Sequence, residues 1–179
     1  MPGYVAFLRA VNVGKRQLKM AEAREVLQDS GFCDVETYIQ TGNVFVSTPL
    51  RSTAKVEAAM GGALSHHAGF DVVAIVRTPT DLSALLAAVD GIPEEVPDET
   101  SRYVSLCLRE PAEARVAELH GLRTPGERAT VIGKDVLMEF AVPFNEATLT
   151  GARLEKILGV PGTARNLTVL RALTQKWGA

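Results

Sequence analysis

Apolar positions come first as short unbroken runs and then at helical spacing, and this alternation of patterns lays out the chain. YVAFLR, residues 4–9, is a near-continuous apolar run that ends at Arg9, the pattern of a buried strand. A polar loop, AVNVGKRQLK, follows, long for a strand-to-helix connection, and such loops tend to carry function. Met20, Ala23, Val26 and Leu27 then recur at helical spacing over 20–30, with Gly31 placed to cap the end. DVETYIQ, 34–40, and NVFVS, 43–47, read as strands rich in β-branched and aromatic residues. Between them Gly42-Asn43 suits a type II′ turn, with Gly taking positive φ at the first central position. Ser52 or Thr53 can cap a helix to about residue 68, with Val56, Met60 and Leu64 on one face. DVVAIVR, 71–77, is a fourth strand.

The second half repeats this order less completely. Pro79 opens a helix running to about Val89, and 90–101, DGIPEEVPDETS, is a polar linker rich in proline and acid. RYVSLCLR, 102–109, is a strand, and a helix follows Pro111. ATVIG and VLMEF, around 129–133 and 136–140, form a hairpin through Gly133-Lys134-Asp135. A helix near 149–158 ends at Gly159, and a last helix is expected over about 164–176. The expected class is α+β: duplicated ferredoxin-like (βαββαβ) halves with antiparallel sheets and an extra C-terminal helix. The expected division is a first subdomain over 1–77, a helix and acidic linker over 78–101, and a second subdomain over 102–179.

This topology makes a spatial prediction. Right-handed connections put the end of the first strand and the hairpin between the second and third at one edge of the sheet. Arg9 therefore ends beside Gln40, Thr41 and Asn43, with Asn12, Gly14, Lys15 and Lys19 looping over the same edge. Arg77 falls at the opposite edge. Charge sharpens the picture, because 9–19 carries Arg9, Lys15, Arg16 and Lys19 and no acid. An arginine fork can hold a carboxylate or phosphate in two hydrogen bonds, and backbone N–H groups at a helix start can add to it. The plainer reading is that Gly42 serves only the turn and that Thr41 and Asn43 bond to nearby backbone.

Bulk composition excludes more than it identifies. The 179 residues are 46% hydrophobic and 22% charged, enough for a core without metals or disulfides. A net charge of −2 gives no general case for nucleic acid or an anionic membrane. No apolar run approaches the roughly 20 residues a spanning helix needs. The first residues hold no basic region and Arg9 cuts their apolar run, which argues against a signal peptide and for a cytoplasmic protein. Cys33 and Cys107 match no metal or redox spacing, and His66 and His67 are adjacent rather than at the zinc-binding i, i+4 spacing. Gly14-Lys15 lacks the earlier glycine and the following Ser or Thr of a phosphate-binding P-loop. No cofactor and no metal are expected, and no general base or nucleophile is assigned.

LRAVNVGKRQLKMAEAREVLQDSGF, then VETYIQTGNVFVS, then LEKILGVPGTARNLTVLRAL near the end, resemble the bacterial family called domain of unknown function 1697 over nearly the whole chain. The family motifs run roughly LRGINVGG, TYIQSGNV and RNWNTV, read here as LRAVNVGK, TYIQTGNV and RNLTV. Ala10 and Lys15 replace glycines, and Leu167 replaces an aromatic residue. The resemblance implies the duplicated ferredoxin-like fold and no established activity. It points to Arg9, Asn12, Gly14, Met20, Tyr38, Gln40, Gly42, Asn43, Arg165 and Asn166.

The function expected from all this is a binding module for a small anionic or nucleotide-like ligand. Its site is the edge formed by the 9–19 loop and the 40–43 hairpin: Arg9, Asn12, Gly14, Lys15, Lys19, Gln40, Thr41 and Asn43, joined by Arg165 and Asn166. The alternatives are a structural or interaction protein whose motif residues form an internal polar network, and an enzyme of unassigned type. Nucleic acid and membrane are not expected partners, and the oligomeric state is left open.

Overall fold

The computed structural model describes residues 1–9, 11–93 and 101–179, so Ala10 and most of the acidic segment 90–101 lie outside the described residues. Among the described residues the chain is α+β, with two four-stranded antiparallel sheets and six α-helices. It divides into two compact units, Met1–Ser83 with Leu173–Ala179, and Ala84–Ala172.

The first unit runs β1 Gly3–Arg9, α1 Met20–Asp29, β2 Cys33–Tyr38, β3 Asn43–Ser47, α2 Thr53–Ala68 and β4 Val73–Arg77. Its sheet order is β2-β3-β1-β4, with β1 paired antiparallel on both sides. Alternation along the strands gives the sheet two faces. Tyr4, Ala6, Leu8, Val44, Val46, Ala74 and Val76 form one core with Met20, Ala23 and Leu27 of α1 and Val56, Met60 and Leu64 of α2. Both helices thus bury the apolar stripe their spacing predicts, and each Met, Leu or Val side chain in it contributes about 1.5–3 kcal/mol. α1 gives way at Ser30 and Gly31, and α2 at Gly69, whose φ of 73° is the left-handed C-cap conformation.

The opposite face carries Val5, Phe7, Phe45, Ile75 and Arg77. Trp177, from the chain's last turn of helix, lies against it. Its ring stacks on Phe45 at 5.9 Å between centroids and meets Tyr38 edge-on at 6.5 Å. Its indole N–H donates to Glu36 Oε2 at 3.1 Å, and Lys176 Nζ reaches the same oxygen at 2.6 Å. The hydrogen bond from Lys176, then that from Trp177, holds the Glu36 carboxyl below its ordinary value of 4.5.

α3 Pro79–Asp90 and, at the far end of the chain, α6 Leu167–Trp177 each contain a point where the chain passes from one unit to the other. The second unit runs β5 Ser101–Cys107, α4 Glu113–Gly121, β6 Glu127–Ile132, β7 Asp135–Phe140, α5 Gly151–Leu158 and β8 Gly162–Asn166, in sheet order β6-β7-β5-β8. Its helix-facing core joins Cys107, Val136, Met138 and Phe140 to Leu119 of α4 and Leu154 and Leu158 of α5. On the other face a charged row crosses three strands in register, Arg128 on β6, Glu139 on β7 and Arg102 on β5. Glu139 is fully buried, with Arg102 at 3.2 Å and Arg128 at 2.5 Å from its two oxygens. The same guanidiniums donate to the Ile92 and Pro93 carbonyls, which fastens the exit of α3 to this sheet.

Two sequence expectations are corrected. Residues 162–166 are not the start of the last helix but the edge strand β8, paired antiparallel with β5. The pattern hid it because GTARN is polar and short, as edge strands often are, and abuts a strongly periodic helical run. The β2–β3 connection is not a two-residue turn centred on Gly42-Asn43. Tyr38 pairs with Asn43, which leaves a four-residue loop, and β2 ends at Tyr38 rather than Gln40. Ile39 and Gly42 both take positive φ, 50° and 81°. A Cβ on Gly42 would lie 2.9 Å from Leu8 Cβ and 3.2 Å from Leu8 O.

Gly42→Ala therefore combines an unfavourable φ with a clash against the central strand. It is expected to cost about 1–3 kcal/mol in the urea-unfolding midpoint, and an unchanged midpoint would show that the loop relaxes freely. Trp177→Ala removes an aromatic seat and is expected to cost about 3–5 kcal/mol by the same measurement. The lowered carboxyl of Glu36 adds a pH signature. Its contribution is present above the ordinary carboxyl value of 4.5 and is lost as pH falls through the lower folded value. A denaturation series from about pH 6 to about pH 3 should thus show a shallower acid decline in Glu36→Gln than in the parent.

Candidate functional site

The end of β1 and the hairpin tip meet because β3 runs back along β1. Phe7 faces Asn43 in register, and the Leu8 N–H donates to the Gly42 carbonyl at 2.7 Å. The loop from residue 11 to Lys19 then folds over this edge, anchored at its ends by the buried Val11 and Leu18. Asn12 ties the two segments together. Its amide donates to the Gln40 carbonyl at 3.0 Å, and its oxygen accepts from the Leu18 N–H at 3.2 Å. The result is a recess of about 270 Å³ lined by Asn12, Gly14, Arg16, Gln17, Lys19 and Gln40.

Its electrostatics follow from what lines it. Arg16 and Lys19 supply two cations, and no lining residue is acidic. Arg16 also lies over the Phe70 ring, 5.6 Å from its centroid, which positions the guanidinium. Lys19 is the N-cap of α1 and makes no side-chain cap, so the recess opens at a helix start whose first N–H groups have no side-chain partner there. Lys19 pairs loosely with Glu22 at 3.7 Å, with most of its side chain exposed. Gly14, at φ 63°, has open space where a side chain would stand.

The residues singled out in the sequence separate into three groups. Asn12, Gly14, Lys19 and Gln40 line the recess. Lys15 is exposed on the same loop, and Thr41 is exposed at the hairpin tip, where its hydroxyl accepts from the Asn43 amide at 2.9 Å. Asn43 itself is fully buried, and its amide also donates to the Tyr38 carbonyl at 3.1 Å, so it clamps the hairpin from inside. Arg9 ends β1 opposite Val73, half-buried and outside the recess lining. Met20 is a core residue of α1. Arg165 and Asn166 belong to β8 of the second unit. Arg165 donates to Thr163 Oγ1 at 2.8 Å and the Ala164 carbonyl at 2.9 Å, and burial pulls it down to about 10. Asn166 accepts from the Thr168 N–H at 2.8 Å and so caps α6. Arg16 and Gln17 line the recess although the motif reading passed over them. The absence of any acid from 9–19 was the signal that could have brought in Arg16.

No group of three or more His, Cys, Asp or Glu suited to a metal ion occurs among the described residues. No helix among them is long and apolar enough to cross a membrane.

Comparison with known proteins agrees with this picture at the level of fold. The chain resembles the solved structure of the conserved bacterial protein SP0830 from Streptococcus pneumoniae, with a TM-score of 0.72 and 23% identity over 99% of this chain and 98% of that one. No curated protein matches it. The model of a family described as protein of unknown function (DUF1697) matches residues 1–137, and the chain belongs to that family.

Proposed function

We propose that residues 1–77 and 102–179 are two ferredoxin-like βαββαβ repeats joined by 78–101, and that the first binds a small anionic ligand of phosphate or nucleotide type. Support for the repeat is the identical order of elements in the two units and the matching strand orders, β2-β3-β1-β4 and β6-β7-β5-β8. The observation that carries the binding reading is the recess itself. Arg16 and Lys19 converge there on an uncapped helix start with no carboxylate in the lining. A phosphate oxygen can take backbone N–H groups from the helix start while the cations balance its charge. Asn12 and Gln40 add neutral polar atoms for the rest of the ligand. The lining holds no carboxylate, histidine or thiol, so the proposal is binding rather than catalysis.

A thermal-melt panel of inorganic phosphate, pyrophosphate, ATP and GTP tests it. A ligand present at about 100 times its Kd should raise Tm by about 5–10 °C. Combining Arg16→Ala with Lys19→Ala should erase the shift and leave the unliganded Tm nearly unchanged. Flat melts of the parent protein across the whole panel would refute the proposal.

One observation favours a structural role for part of the same motif, the internal bonding of Asn12 and Asn43. If Asn12 serves to hold the loop, Asn12→Ala should speed amide hydrogen exchange at residues 13–18 and cost about 1 kcal/mol in stability. Unchanged exchange there would remove the tie from the account.

A further inference from the structure

A cleft of about 490 Å³ lies in the second unit, and none of its lining residues belongs to the motifs. That is within the range of about 300–1,000 Å³ typical of small-molecule sites. It runs along the outer edge of β6, between that strand, the C-terminal end of α4 with the chain that follows, and Leu149.

The strand register says which backbone groups face it. β6 and β7 are joined by the two-residue link Gly133-Lys134, and Ile132 is opposite Asp135. In such a hairpin the flanking pair exchanges both hydrogen bonds, and bonding alternates from there. Thr130 and Arg128 therefore turn their backbone groups to β7, while Val131, Ala129 and Glu127 turn theirs outward. Two of these outward N–H groups are occupied. Val131 N–H points to His120 Nε2 at a long 3.5 Å, and Glu127 N–H donates to the Thr124 carbonyl at 3.1 Å. Between them the N–H and C=O of Ala129 meet no partner among the described residues and open into the cleft.

The side chains add two more features. Leu119, Leu122 and Leu149 give the cleft an apolar lining. Arg123 gives it a cation that donates only to the His120 and Leu122 carbonyls and meets no carboxylate among the described residues. Glu127, the acid of the lining, has both oxygens engaged by Thr148 and the Leu149 N–H. An exposed donor–acceptor pair in strand geometry, an apolar lining and an unneutralised guanidinium together describe one chemistry.

We infer that the β6 cleft binds a short peptide or N-acylated amino acid, with its amide paired to Ala129, an apolar side chain among Leu119, Leu122 and Leu149, and its free carboxylate on Arg123. This is strand addition on the scale of one or two residues, where main-chain bonds hold the ligand and the pocket selects its side chain. The carboxylate is a charge-assisted acceptor for the guanidinium and sets the ligand's direction along β6.

The test is a titration of the ¹⁵N-labelled full chain with N-acetyl-Val-Leu, carried to about 10 mM. Saturable amide shifts at Ala129 and its β6 neighbours are expected. The C-terminal amide of the same dipeptide, and the Arg123→Gln variant with the free acid, should each bind at least about tenfold more weakly, as loss of a charge-assisted pair implies. Ala129→Pro removes the outward N–H at an edge position where proline is tolerated, and should abolish the β6 shifts while the β7 amides keep their positions. No saturable shift on β6, equal binding of acid and amide, or parent-like binding by Arg123→Gln would overturn the inference. Arg123→Gln changes an exposed side chain and keeps the test decisive if Ala129→Pro fails to fold.

Discussion

The pairing of β3 against β1 is the constraint on which the candidate site depends. Once Phe7 is level with Asn43, the four-residue tip has nowhere to go but across the end of β1. The Leu8–Gly42 hydrogen bond and the close approach of Gly42 to the Leu8 side chain then set how near that tip comes. Asn43, sealed from solvent, fixes the loop from within by bonding Tyr38 and Thr41. Only after these contacts are made is the Gln40 carbonyl where Asn12 can reach it and draw the 11–19 loop over the edge. The recess is thus a consequence of strand register, and its basic groups are carried to it by the backbone rather than gathered by ion pairs.

Both sheets hold cations on the face turned away from their packed helices, and they do so differently. Arg77 on β4 and Arg165 on β8 are nearly fully buried and lean on neighbouring carbonyls, Val76 for one and Ala164 for the other. Arg102 and Arg128 share one carboxylate, that of the buried Glu139, so the row across β6, β7 and β5 keeps one net positive charge. Replacing such rows by apolar side chains is often neutral or better for stability, while removing one partner is costly. A row of this kind is poor evidence of a stability gain but good evidence of position. Its arginines also hold the Ile92 and Pro93 carbonyls, so it sets where the chain leaves α3.

Most of the fold was legible in the sequence because its helices and central strands carry strong local signals. α2 occupies Thr53–Ala68 as its Ser52 start and its Val56, Met60 and Leu64 stripe require, and β3 occupies Asn43–Ser47. The edge elements were harder. β8 alternates Thr, Ala, Arg with only one small apolar residue, a pattern that cannot be told from a helix entry without its partner β5. The β2–β3 tip misled for a related reason. Gly42 does take positive φ, but so does Ile39, and a β-branched residue in that region is not expected from local preference. Tertiary placement against Leu8, which no local pattern encodes, decided the loop length.

The candidate site was legible in part, and the division has a physical basis. Topology alone put Gln40 to Asn43 beside the 10–19 loop, because handedness and strand order are properties of the whole chain. What it could not give was the direction of each side chain. Asn43 and Gln40 lie three residues apart in one turn, yet one is sealed inside and the other lines the recess. Arg9 and Arg16 carry the same group on the same segment, and only Arg16 reaches the recess, held over Phe70. The motif positions serve two ends. Asn43 and Gly42 build the edge, whereas Asn12, Gly14 and Gln40 border the space it encloses. The cations that give that space its character, Arg16 and Lys19, come from the connecting loop and the N-cap of α1, so the chemistry follows from composition in 9–19 more than from the motif itself.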